Sequence, residues 1–169
     1  YRRYLEIGRL RLDPRVRGKA IDAARKLVAD APDYASAHAL LAHLLLRGGR
    51  PATPEALAES RREAEHALRL DPAQPVAEAA LGFISCHYRD WERGLKMISH
   101  ALQSAPADTE LRLDYTICLG TLGYWTQALE QTRIAYAADP LAIVPNVVLA
   151  NVLDTVGRHD EVAATPAPS

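Results

Sequence analysis

Cysteine is nearly absent from this 169-residue chain, with Cys86 and Cys118 the only two. Two cysteines 32 residues apart are too few for a disulfide framework and too distant for a metal knuckle. Methionine occurs once, at Met97, and the chain opens on Tyr1, which reads as a segment of something longer. There is no run of about 18 apolar residues, so no membrane span is encoded in this segment. A basic start followed by an apolar core and a cleavage site is missing as well, hence no signal peptide. In a segment this says little about compartment: a cytoplasmic location is the expectation, a periplasmic one if a membrane anchor precedes. An excess of one charge is also lacking, since 20 basic residues stand against 21 acidic ones. So balanced a chain builds no field to hold a phosphate backbone, which argues against nucleic-acid binding by this segment.

What is present is a period. Pro72, Pro106 and Pro140 fall 34 residues apart, and Trp91 and Trp125 keep the same spacing. A fixed period of this length marks an array of helix pairs, each unable to bury its apolar face without its neighbours. With the proline at position 32, units begin near Tyr1, Ala35, Pro75, Thr109 and Ile143. Units of 1–34, 35–74, 75–108, 109–142 and 143–163 and a tail of 164–169 follow. First helices carry apolar residues at positions 7 and 10 with a smaller one between, as in Leu41-Ala42 with Leu44 and Leu81-Gly82 with Ile84. Spacings of three and four keep these on one stripe. Position 20 is small in four units (Ala20, Ser60, Gly94, Ala128), and position 27 repeats the theme with Ala67, Ala101 and Ala135. Small side chains there let paired helices approach closely.

Boundaries are legible too. Asp13-Pro14 and Thr53-Pro54 pair an N-cap residue with proline at the first helical position, and Asp90 and Thr126 stand as caps beside the tryptophans. Gly48-Gly49, Gly123 and Gly157 fall where first helices end. Pro32 to Pro72 is 40 residues, six beyond the period, and the excess is expected in 49–54 as a longer turn or a longer following helix. From Ala163 to Ser169 the chain reads Ala-Ala-Thr-Pro-Ala-Pro-Ser and should not continue a helix. The fifth unit is therefore expected to hold a full first helix and a stub of a second.

Leu81-Gly82 followed by Gly94, Ala101 and Pro106, then Ala128, Ala135 and Pro140 in phase, resembles the tetratricopeptide repeat (TPR) over nearly the whole chain. The resemblance implies an all-α, right-handed α-solenoid of about five helix pairs, the last incomplete. Glu78 and Arg112 depart from it, standing where the family often has a large apolar residue, and Ser85 replaces an aromatic. Tyr4-Leu5-Glu6-Ile7-Gly8-Arg9-Leu10 with Pro14, Ala20 and Pro32-Asp33-Tyr34, together with Tyr88-Arg89-Asp90-Trp91 and Asp139-Pro140-Leu141, is similar to a narrower group. Those arrays follow winged-helix or nucleotide-cyclase domains in bacterial regulators, which implies a regulatory or sensory part of a larger protein.

In the family, positions 2, 5, 9 and 12 of the first helices face a concave groove. Here they make a mostly apolar strip, suited to the stripe of a partner helix or an extended peptide. The candidate partner-binding residues are His43, Leu46, Ala79, Phe83, Leu113 and Ile117, with Phe83 as apolar anchor and His43 as its polar neighbour. Ala39, His43, Ala79, Phe83, Leu113 and Ile117 lack the Lys, Asn and Arg with which some members clamp a terminal carboxylate. The alternative is a self-association module, a homo-oligomer formed because Leu149, Val152 and Leu153 lack a full second helix to cover them.

Remaining features are read plainly. Cys86 and Cys118 belong on neighbouring first helices, as small apolar filler or as an interhelical disulfide or redox pair. His38 and His43 diverge on one helix. His66 and His100 share a repeat position, with a surface or packing role the simpler reading over a metal pair. His87-Tyr88-Arg89-Asp90 superficially matches a kinase catalytic loop but lacks the following Asn, the glycine-rich loop and the lysine strand. With no Ser-His-Asp context, paired catalytic carboxylates or phosphate loop, the segment reads as a non-enzyme needing no cofactor or metal.

Overall fold

The computed structural model describes residues 2–10, 16–47 and 53–164. Among them run ten helices: α1 (Arg2–Leu10), α2 (Arg17–Asp30), α3 (Ala35–Arg47), α4 (Pro54–Leu70), α5 (Pro75–His87), α6 (Trp91–Ser104), α7 (Thr109–Thr121), α8 (Trp125–Ala138), α9 (Ile143–Thr155) and α10 (His159–Ala164). They pair in chain order, α1 with α2, α3 with α4, α5 with α6, α7 with α8 and α9 with α10. Helices α3, α5, α7 and α9 pack successively on one another, and α2, α4, α6 and α8 each also touch the first helix of the next unit. This is the layering of a helical-repeat solenoid.

Local chemistry sets the helix ends. Thr53 accepts from the Ala56 N–H, and Asp108 accepts from the Glu110 and Leu111 N–H groups, so each caps its helix. Helices α2, α4 and α6 close with the N–H of Ala31, Asp71 and Ala105 donating four residues back, one residue before a proline. First helices end on a left-handed residue: Gly123 at φ 80°, Gly157 at φ 76° and, at the equivalent place after α5, Arg89 at φ 65°. Thr126 is not a cap. It lies inside α8, whose N-cap is Tyr124, and the side chain of Asp90 makes no capping bond at the start of α6. Asp13-Pro14 and Gly48-Gly49 lie outside the described residues. Helix α10 takes in Ala163 and Ala164 before the proline-rich tail, two residues further than the sequence suggested.

Three of the six extra residues lengthen a helix: α4 has 17 residues, against 14 in each of α2, α6 and α8. Of the stretch 49–54 in which the excess was expected, 49–52 lie outside the described residues.

Small residues at positions 8 and 20 do what their size implies. A Cβ on Gly82 would lie 2.9 Å from the Gly94 carbonyl oxygen, and a Cβ on Gly94 would lie 2.7 Å from that of Gly82. Backbones of α5 and α6 therefore touch directly at this pair. In the unit before, Ser60 donates its hydroxyl to the Ala42 carbonyl at 2.8 Å across the same contact. Three of the four polar residues at position 4 share a contact. His38, Arg112 and Asn146 each donate to the carbonyl of the proline six residues earlier, at 2.8, 2.6 and 2.7 Å. His38 also meets Glu63 at 2.6 Å, Arg112 donates to Gln131 at 2.6 Å, and Glu78 pairs with His100 at 2.8 Å. What a large apolar side chain would fill is here bridged by a hydrogen bond from first helix to second.

Candidate functional site

On α3, His43 and Arg47 lie one turn apart and so share a face; on α7, Glu110 and Asp114 do the same. These two faces meet although α5 stands between them in the array. His43 Nε2 donates to Asp114 Oδ2 at 2.8 Å, and Arg47 Nη2 donates to Asp114 Oδ1. Helix α5 carries alanine at 77, 79 and 80, all fully buried, so little keeps the two faces apart. The Arg47 guanidinium sits 5.7 Å from the centre of the Phe83 ring. The carbonyl of Arg47 in turn accepts from Arg17 Nη1 at 2.7 Å, tying the end of α3 to the start of α2.

The cluster is dry, with His43 and Asp114 each 1% exposed and Arg47 7%. Burial by itself would raise the Asp114 carboxyl, but the Arg47 charge and the His43 bond outweigh it and hold the group below the ordinary range. For Arg47, burial pulls downward and the Asp114 and Glu110 carboxylates overcome it. Arg47 Nε and Glu110 Oε1 are among the buried atoms without a hydrogen-bond partner. Desolvation of such a group offsets most of its attraction, so the strap fixes geometry more than it adds stability.

Of the sequence candidates, His43, Leu46, Ala79 and Leu113 are buried, while Phe83 and Ile117 are half-buried. His43 and Phe83 are brought together around Arg47; Ile117 stands apart, one turn beyond Asp114. It lines a pocket of about 280 Å³ with Thr116, Gly120, Thr121, Trp125, Val148, Asn151, Val152 and Thr155. Trp125 forms one wall because Gly120 leaves it room: a Cβ there would lie 2.9 Å from Cζ3 of the indole. The hydroxyls of Thr116, Thr121 and Thr155 donate to carbonyls of their own helices, four residues back. Asn151, exposed at the rim, brings both an amide donor and an acceptor.

Other candidates resolve simply. The rings of His38 and His66 lie 4.3 Å apart, tilted by 38°, and among the described residues no group of three or more His, Cys, Asp or Glu could hold a metal ion. Leu149, Val152 and Leu153, expected to lie uncovered, are buried against α7, α8 and Val162 of α10, so the short second helix suffices. Exposed large apolar residues in the last two units include Ile134, Leu141 and Val147 instead. Among the described residues no helix is long and apolar enough to cross a membrane.

Neither a family model nor a curated protein matches the sequence. Solved structures do. TTC0263, described as a thermophilic TPR protein in Thermus thermophilus, is 20% identical with a TM-score of 0.64, over 89% of this chain and 79% of that one. The chain has the tetratricopeptide-repeat fold. A crystal structure of MamA superposes at a TM-score of 0.59 and 14% identity, over 86% of this chain and 82% of MamA. A monomeric mutant of IFIT1 with Gppp-AAAA reaches 0.67 at 18% identity, over 86% of this chain but 35% of its own length. At such identities the likeness concerns fold. Within this TPR array, sequence reasoning placed Glu110 and Gly120 at groove positions but missed Arg47 and Asp114 of the buried cluster and Val148 of the pocket. The available signal was a basic pair at i, i+4 on α3, His43 and Arg47, and an acidic pair at the same spacing on α7, Glu110 and Asp114.

Proposed function

We propose that this TPR array is a non-catalytic protein-recognition module, the regulatory part of a larger bacterial regulator. It takes an apolar segment of a partner, a helix face or an extended peptide, at the open stretch of the concave face. The observation that carries the reading is the pocket between α7 and α9, with Ile117, Trp125 and Val148 as apolar walls and Asn151 at its rim. A peptide side chain entering there loses apolar surface to water, while an amide such as Asn151 can pair with a peptide bond. No reaction is assigned to the His43–Asp114 pair, because both side chains are sealed from solvent and the carboxylate is already held by Arg47. The regulatory assignment rests on the residues that resemble regulator-linked arrays.

Capture from a lysate of the source organism tests it, with wild type, Val148→Glu and Phe83→Glu as baits of equal helicity. A protein held by wild type, lost with Val148→Glu and retained with Phe83→Glu supports the pocket. Loss only with Phe83→Glu returns the site to the middle of the groove. Self-association is the second reading, favoured by the exposure of Leu141, at 78%, and of Val147. Light scattering across a concentration series decides it, since a strictly monomeric mass removes it.

A further inference from the structure

None of the residues lining the pocket between α7 and α9 is ionisable. Its three threonine hydroxyls spend their protons on carbonyls of their own helices, at 3.0, 2.8 and 2.7 Å. A charged side chain entering would shed its water and meet no opposite charge in the wall, a costly exchange. The occupant is therefore uncharged. Size and shape narrow it further. The volume of about 280 Å³ exceeds the roughly 150 Å³ that accommodates a benzene ring. One wall is itself an indole, Trp125, whose Cε3–Cζ3–Cη2 edge lies against Gly120 and so is held in place. A second ring beside it gains an edge or stacking contact beyond the area it buries.

Charge outside the pocket is not neutral. The chain balances overall, but residues 1–34 hold nine basic and five acidic side chains, whereas 109–163 hold three basic and seven acidic. The pocket lies at the acidic end. All three arginines of that end are engaged within the chain: Arg112 donates to Gln131 and to the Pro106 carbonyl, and Arg133 and Arg158 both pair with Glu161. Closest to the rim in sequence is Asp154, three residues after Asn151 and one before Thr155, which places it on the same side of α9. Its side chain is 70% exposed and meets only the equally exposed His159, at 3.0 Å. We propose that the pocket reads a partner segment in which an aromatic side chain is flanked by lysine or arginine: the ring fills the space beside Trp125, and the cation outside it meets Asp154. This rests on the pocket being a peptide site and names the class of peptide. The ring supplies most of the affinity, because it alone is desolvated. The cation selects among aromatic segments, since an acidic neighbour is repelled by the same surface.

The probe is a capped peptide, Gly-Arg-Gly-Phe-Gly-Arg-Gly, with two companions: one has leucine for the phenylalanine, the other glutamates for the arginines. Binding to the whole array is read in NMR titrations from the indole N–H of Trp125, identified with Trp91→Phe, and the side-chain amide of Asn151. The parent peptide is expected to shift both signals, the leucine peptide to bind about fivefold more weakly and the glutamate peptide about threefold more weakly. Salt at about 1 M should erase the second difference and keep the first. Asp154→Lys, checked for native helicity, should reverse the order of the arginine and glutamate peptides. A leucine or glutamate peptide as tight as its parent, shifts that bypass Trp125 and Asn151, or binding by none of the three overturns the proposal. Capture of a partner that Val148→Glu abolishes would still uphold the recognition reading, so the two fail separately.

Discussion

Removing the Asp114 carboxylate tests the strap more severely than any other single change. In Asp114→Ala, His43 loses its bond and Arg47 keeps a charge that is 7% exposed, with Nε already lacking a partner. Breaking a buried ion pair from one side costs about 3–5 kcal/mol, since the surviving charge stays desolvated. The surface offers an internal control. Arg25 grips Glu59 through two bonds of 2.9 and 2.8 Å, but half of Arg25 is in water, so Glu59→Ala should cost only about 0.2–1 kcal/mol. Guanidinium unfolding followed by far-UV circular dichroism reads both. A third variant, His43→Leu/Arg47→Met/Asp114→Leu, removes every charge of the strap and should recover most of the loss. The sign of the pH effect is fixed as well. The Asp114 carboxyl lies below its ordinary value of 3.8 when folded, so the unfolded chain binds the proton first. Its stabilisation is therefore present above about pH 4 and drains away as pH falls through the lower folded value. Asp114→Asn should lack that portion of the acid slope. A cost for Asp114→Ala below about 1 kcal/mol, matching Glu59→Ala, would refute the strap.

Other expectations are local. Gly94→Ala forces a methyl to 2.4 Å from the Cys86 sulfur and 2.7 Å from the Gly82 carbonyl, and should lower stability by about 1–3 kcal/mol in the same titration. Arg89→Gly relieves a left-handed residue at φ 65°, as glycine does at 123 and 157, and should raise the unfolding midpoint by about 0.5–1 kcal/mol equivalent. Gly120→Ala must displace the Trp125 ring, which its Cβ would approach to 2.9 Å, and should red-shift tryptophan emission with helicity unchanged.

What the sequence disclosed was whatever recurs. The proline spacing, the paired tryptophans and the small residues at positions 8, 20 and 27 each mark one contact repeated along the array. Gly82 against Gly94 is that contact in atomic form. Contacts that do not recur stayed hidden. His43 and Asp114 are 71 residues apart and two first helices removed, a meeting set by the curl of the whole array rather than by any local pattern. Arg112 and Glu78 looked like packing faults because position 4 was judged by size; as hydrogen-bonding groups, both bridge to the second helix of their unit. Leu149 and Leu153 looked uncovered because helix count stood in for coverage, whereas α10 and α8 together enclose them.

Amide hydrogen exchange, on the array alone and with its captured partner, tests the central claim most directly. Recognition through the open end of the concave face predicts slowed exchange in 116–121 of α7 and 148–155 of α9, with α4 and α6 unchanged. Slowed exchange confined to α4, α6 or the second-helix faces, with those two stretches unaltered, would contradict it.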